Sequence, residues 1–293
     1  MAITNKKRTV DPSRTMLLRR RFWMDMKKRF AILEKVVKDF FLSDVLLSKD
    51  RTPIAFNLDK EEFKFATDAT KVAMFRKWLQ KEINTGVLTI KDGIIGKPWT
   101  ASYIENAYRK GLIRAYTETH KKIKLKDIQF FGGAKEQFLK TAFNTPIIIS
   151  QLELLATRSL NLLKGITDEM SNKMSLILAE GLAHDYSSDK IATLMTKSIS
   201  NLSKNRALRI ARTEIINAHA EGQLDAFEML GIGEVEAEVE LVTAKDEKVC
   251  SECVSLEEKR FKIEDARGII PVHPNCRCAW QAVVETKTSK FKK

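Results

Sequence analysis

Glycine and proline are scarce in this sequence, with only 12 and 6 in 293 residues, about half their usual combined share. Few backbone breakers favour long uninterrupted elements over a sandwich of many short strands. Long apolar runs are also missing. The uncharged stretch Thr141–Leu152 has 12 residues and contains Pro146, too short for a membrane-spanning helix. The apolar step Met16–Leu18 is cut at once by Arg19, Arg20 and Arg21, which excludes a secretory signal. A soluble protein made in a cytoplasm is expected. There is no P-loop, no G-x-S-x-G and no dinucleotide-binding glycine pattern. What is present is a normal apolar share of 44% with 30% charged residues, enough to bury one large core or two modest ones.

The formal net charge is +13, and it is unevenly placed. Residues 1–40 hold twelve Lys/Arg against Asp11, Asp25, Glu34 and Asp39, and residues 281–293 hold four lysines against Glu285, leaving only +2 for everything between. Two basic ends on a near-neutral body are attracted to polyanions without reading sequence; solubility, or an acidic protein partner, is the alternative use, and for the short tail the better one. In the N-terminal arm, Asp11 is placed to cap a helix opening at Pro12. Phe22, Met26, Phe30, Leu33, Val37 and Phe40 then recur at helical spacing. Arg19, Arg20, Arg21, Lys27, Lys28 and Arg29 crowd the opening turns, where they oppose the helix dipole. An apolar face docked on the body, with the basic face outward, accounts for both halves. These six cations are the candidate contacts to DNA or to a protein surface.

Helical periodicity continues over Glu61–Asn84, Thr100–Thr119, Lys135–Phe143, Ser150–Leu163, Thr167–His184, Ser188–Thr196 and Lys204–Leu230. Gly86–Gly96 reads as a short hairpin turning at Asp92-Gly93, and Gly132-Gly133, Gly165 and Ser200–Ser203 read as breaks. After Gly233 the period drops to two: Val235, Ala237, Val239 and Leu241 alternate with Glu236, Glu238 and Glu240, and Ala279–Val284 is a last strand-like segment. The fold class expected is mainly α, a helical body with a small C-terminal α+β cysteine module. The expected segments are a basic arm and amphipathic helix over 1–48, a helical body over 49–231, the module over 232–284 and a basic tail over 285–293.

All four cysteines lie in that module, Cys250 and Cys253 as C-x-x-C, then Cys276 and Cys278 as C-x-C, with His273 three residues ahead of Cys276. Two thiolates from one tight turn and two ligands from another complete a tetrahedron around Zn²⁺, which would stabilise a module with a thin core. Four-thiolate ligation, and Cys250, Cys253 and Cys276 with His273, both satisfy the spacing. Disulfides, or a metal-free turn with buried thiols, are the competing structural uses. Catalytic zinc needs an open position and a nearby acid or base. The proline-cysteine start of the zinc deaminase C-x-x-C is missing, and no second histidine follows His273. His120, His184 and His219 fall on expected helices, where structural roles are expected.

Three segments in order, RIARTEIINAHAEGQLDAFEMLGI from Arg209, VTAKDEKVCSECVSLEEKRF and IPVHPNCRC, resemble the phage minor head, or head morphogenesis, proteins similar to the F protein of phage Mu. The matching positions are Arg212, Thr213 and Glu214 on the helix, Asp246 in an aspartate-centred turn, and Asn275, Cys276, Arg277 and Cys278 in the closing motif. The opening DPSRTMLLRRRFWMDMKKRF also looks like the amino-terminal arm of such proteins. The resemblance implies a low-copy structural component of the phage head, made in the host cytoplasm, built in near the portal vertex or inner capsid surface, and able to touch packaged or ejected DNA. Its localisation would be the virion. Some relatives carry an enzyme domain after the motif; with 15 residues after Cys278, none is expected here, and the protein is expected not to be an enzyme. Arg212 and Glu214, two apart on one helix, are expected to pair elsewhere, with the β module or a neighbouring helix. Arg277 is expected to bond backbone carbonyls or Glu214. The alternative from another class is a zinc-dependent nuclease or other DNA-acting enzyme; a cellular DNA-binding module is a third.

Overall fold

The computed structural model describes residues 11–43, 68–88, 98–122, 134–231 and 238–283. The expected turn at Asp92-Gly93, the Gly132-Gly133 break, Val235, Ala237 and the basic tail lie outside them. Eight α-helices and three strands are described: α1 (Met16–Leu42), α2 (Asp68–Glu82), α3 (Ala101–Lys122), α4 (Lys135–Asn144), α5 (Pro146–Ala183), α6 (Ser188–Met229), β1 (Glu238–Val242), α7 (Ser251–Leu256), β2 (Arg260–Phe261), α8 (Ile263–Ala266) and β3 (Ala279–Val283). The fold is mainly α with a small C-terminal β element, as expected. No described helix is long and apolar enough to cross a membrane.

Three boundaries differ from the sequence reading. Helix α1 opens at Met16 rather than Pro12. Asp11 instead closes a turn, accepting from the Ser13 N–H and hydroxyl and from Arg19 at 2.5 Å, while Arg14 takes φ 52°. The two helices expected on either side of Gly165 are one, α5. It begins at Pro146, whose missing N–H costs nothing at a first helical position. The pair expected around Ser200–Ser203 is likewise one, α6, with Ser203 Oγ bonded back to the Ser200 carbonyl. A glycine or serine inside a helix costs only about 1 kcal/mol, which the packing of long flanking turns offsets. Ser187 is a true start signal, accepting from the Lys190 N–H at the head of α6.

Packing divides the chain into two units. One is drawn from Met1–Phe22, Thr100–Ser159 and Arg209–Lys293, the other from Trp23–Trp99 and Leu160–Leu208.

In the second unit the apolar stripe of α1 (Met26, Phe30, Leu33, Val37, Phe40, Phe41) is buried, as are Phe75, Trp78 and Leu79 of α2 and Ile83 just past its end. Phe40 stacks on Trp78 at 4.1 Å between ring centres. Past Glu82 the helix widens to a π turn, Ile83–Val87, where Leu88 N–H donates to Ile83 O. The Gly86 carbonyl there accepts from Arg29, whose guanidinium also lies 4.3 Å from the Trp99 ring centre.

In the first unit the core is α6 itself. Residues 214–227 are buried without interruption, so this stretch has no solvent face and the amphipathic rule does not apply to it. Gly111 of α3 and Gly222 of α6 face each other's helix: a Cβ on either would collide with the partner's backbone, at His219 O and Tyr108 O respectively. A three-stranded antiparallel sheet in the order β2-β1-β3 completes this unit, with Val239 opposite Phe261 and Leu241 opposite Trp280. Val239 and Leu241 are buried and Glu238 and Glu240 half-buried, the alternation expected.

The central helix also buries polar side chains, each tied to a particular partner. Gln223 donates to the Trp280 carbonyl at 2.7 Å and accepts from its N–H at 3.0 Å, closing the outer edge of β3 as another strand would. Arg267, just past α8, reaches Glu221 at 3.2 Å, and Asp225 and Glu228 at 2.7 Å each. Tyr108 donates to Asp225 from α3.

Candidate metal centre

Cys250 caps the start of α7, its sulfur accepting from the Cys253 N–H at 3.3 Å. The other end of α7 is held by Glu257, which takes the Thr243 N–H and hydroxyl just beyond β1. The second ligand turn is closed by Cys276 N–H donating to His273 O at 3.1 Å. Cys253 Sγ then lies 3.3 Å from His273 Nε2 and 4.0 Å from Cys276 Sγ. Two sets of three donors, Cys250–Cys253–His273 and Cys253–Cys276–Cys278, each fall within 4.8 Å of one another and share Cys253. Cys253, Cys276 and Cys278 are buried; Cys250 and His273 are half-buried. Tetrahedral zinc, with Zn–S about 2.3 Å and Zn–N about 2.0 to 2.1 Å, needs S–S edges near 3.8 Å and S–N edges near 3.6 Å. The observed separations are close to both, so the donor set fits a metal ion.

The thiols are not equivalent. Cys276 is pulled down to about 5, chiefly by the hydrogen bond from Cys278 and then by the Cys278 and Val272 backbone N–H groups. Burial, and then the charge on Cys276, pushes Cys253 up to about 12. The bond to Cys276 raises Cys278 further. His273 Nδ1 lies 2.8 Å from the Pro274 carbonyl. That places the ring proton on Nδ1 and leaves the Nε2 lone pair facing Cys253, the orientation metal-binding histidines take.

The motif residues surround this cluster. Asp246 sets its turn by accepting from Lys248 N–H at 3.0 Å and receives Arg277 on both oxygens, at 2.5 and 2.7 Å. Hydrogen bonding to that guanidinium holds Asp246 down to about 2. Among the described residues Arg277 therefore bonds Asp246 rather than Glu214 or a backbone carbonyl, the partners expected from the sequence; Asp246, fixed by its own turn, offers it a two-oxygen fork. Asn275, in the left-handed region at φ 70°, donates its N–H to Thr213 Oγ1 at 3.3 Å and accepts from Arg212 at 3.4 Å. Glu214 turns the other way, is 1% exposed and meets Arg158 of α5 at 3.3 Å. Arg212 thus pairs with the β module and Glu214 with a neighbouring helix.

Residues 172–281 match the family described as Phage Mu protein F like protein. Over this segment the chain is similar to the Mu F-like phage head morphogenesis proteins. No curated protein and no solved structure matches it. The Mu F-like segment runs from within α5 through α6 and nearly to the end of β3, and includes all five candidate ligands and all six motif residues.

Of the six basic candidates on α1, Arg20, Arg21, Lys27 and Lys28 are exposed, whereas Arg19 is bonded to Asp11 and Arg29 to Gly86 and Trp99. His120 and His184 bond their own helix at the Tyr116 and Glu180 carbonyls. His219 does not. It is 1% exposed with no hydrogen-bond partner on either ring nitrogen among the described residues. The sequence reading missed the buried polar residues Glu221, Gln223 and Asp225 and the half-buried Arg267 that pairs with two of them. The density of polar residues at every phase of an otherwise apolar helix was the available signal.

Proposed function

We propose that this chain is a minor head protein of a tailed phage. In this reading it is made in the host cytoplasm and built into the virion at the portal or inner capsid surface, with a structural rather than catalytic role. The observation that carries the reading is the Mu F-like match over a segment whose motif residues are joined in one unit, Arg212 and Thr213 to Asn275 and Asp246 to Arg277. Arg20, Arg21, Lys27 and Lys28 are the proposed outward contacts to packaged DNA or to the portal, and a structural zinc is proposed to close the C-terminal module. Bound there, the ion would cross-link α7 to the turn at residues 273–278.

The arm is tested by charge rather than by deletion, because α1 buries Phe22, Met26, Phe30 and Leu33. Replacing the four outward cations by glutamine should leave the fold intact and lower incorporation into particles. If they contact DNA, the slope of log affinity against log salt should fall by up to about 3 to 4; an unchanged slope with lost incorporation would assign them to the portal. Particles that assemble normally with the substituted protein would refute both roles. A metal-dependent nick in plasmid DNA, lost in a folded Cys276→Ser variant, would favour the zinc-nuclease reading instead. Limited proteolysis at the edges of 49–231 and 232–284 tests the proposed segment boundaries.

A further inference from the structure

The outward face of α1 carries apolar side chains as well as cations. Leu17, Met24, Ile32 and Leu42 are 67, 42, 58 and 47% exposed. We infer that this face docks an acidic amphipathic helix of another protein, so that within the outward-contact reading proposed above its occupant is protein and not DNA.

Single exposed apolar residues are ordinary on a surface, but these follow a pattern. Leu17, Arg21, Met24, Lys28, Ile32 and Lys35 succeed one another at steps of three and four residues. Such steps keep them on one side of a helix, where apolar and cationic side chains alternate turn by turn. Leu42 closes the run. Arg20, Lys27 and Lys38 lie beside it, exposed like the cations of the run, and none of these six forms an ion pair among the described residues. Asp39 is the one exposed acid of α1.

The chemistry of this face selects among occupants. A DNA backbone would engage the cations, but its phosphates offer nothing to Met24 or Ile32, which would stay wet. A helix lying in a lipid interface sinks a broad, continuous apolar face. The broad apolar face of α1, with Met26, Phe30, Leu33 and Val37, is already buried in the protein. A second copy of the same face would bring cations against cations. A partner helix satisfies both kinds of side chain at once. Its ridges also run at three- and four-residue steps, so apolar and acidic residues alternating along it meet Met24 and Ile32 in one turn and Lys28 and Lys35 in the next.

The test uses purified full-length protein and two helical peptides of about four heptads. In one, leucine and glutamate alternate at three- and four-residue steps; the other has the same composition with that order scrambled. The ordered peptide should bind at least about tenfold more tightly. Combined substitution Leu17→Gln, Met24→Gln and Ile32→Gln should abolish that preference and leave affinity for duplex DNA unchanged. Equal binding of the two peptides, or a preference that survives in the folded variant, would overturn the inference. So would binding to phosphatidylglycerol vesicles that the variant loses, which would assign the face to lipid. If the triple variant does not fold, Met24→Gln alone should reduce the preference, and an unchanged preference there would count against the docking face. Absence of the unsubstituted chain from phage particles would refute the head-protein reading itself, a result separate from the peptide preference.

Discussion

Gly222 and Gly165 lie on the two longest helices, yet substitution should affect them in opposite directions. At Gly222 an added methyl meets the Tyr108 backbone, which belongs to a packed helix and cannot swing aside. Gly222→Ala should therefore destabilise by roughly 2 kcal/mol or more. At Gly165 nothing lies within 4 Å of the added atom, so Gly165→Ala should stabilise by about 0.5 to 1 kcal/mol through helix propensity. Urea denaturation of the two variants checks both signs. His219 gives a prediction in pH. Burial, then the cations Arg114, Lys110 and Arg19, drive its imidazole down to about 3, whereas in the unfolded chain it titrates near 6.5. The unfolded chain therefore gains a proton that the folded one refuses. Stability from this group is complete above about pH 6.5 and falls by roughly 1.4 kcal/mol per unit as pH drops towards about 3. His219→Leu should remove one proton's worth of that slope; equal slopes for both proteins between about pH 4 and pH 6 would show that the imidazole protonates in place.

At the scale of elements, β3 is held on one side by β1 and on the other by a side chain. Gln223 is the only group among the described bonds that satisfies the Trp280 N–H and carbonyl. Gln223→Ala would bury both without partners, at a cost of roughly 2 to 4 kcal/mol, and should speed hydrogen exchange in β3 before it does so in α3. Alternation identified β1, and the register opposite β3 follows from its buried Val239 and Leu241. Helix existence was legible too, because a 3.6-residue apolar stripe is a local property. Helix ends were not. Gly165 and Ser200–Ser203 carry stop signals worth about 1 kcal/mol, and tertiary packing on both sides outweighed them. Amphipathicity failed as a guide within residues 214–227, where partners cover every side of the helix.

For the whole molecule, a metal bound only by the folded form adds stability by mass action. Free zinc at about 100 times its dissociation constant should raise it by about 2.7 kcal/mol, and a chelator should remove that increment. Calorimetry with and without chelator, alongside native mass spectrometry for one zinc per chain, measures it; identical thermograms and no bound metal would leave the thiols as packing residues. The sequence alone determined that the fold is mainly helical, that a short alternating strand follows the last long helix, that all four cysteines and His273 lie in one C-terminal module, and that its motifs resemble the Mu F-like proteins. Each depends on neighbours within a few turns of chain or on an ordered motif. Tertiary structure decided the rest. It joined Met1–Phe22 to Arg209–Lys293 in one unit and split α1, α5 and α6 between two. It gave Arg277 to Asp246, 31 residues away, rather than to Glu214, and engaged Arg19 and Arg29 internally while Arg20, Arg21, Lys27 and Lys28 stayed exposed. The reason is that charge and donor count are properties of a residue, whereas its partner is set by which distant backbone brings a complementary group within about 3 Å.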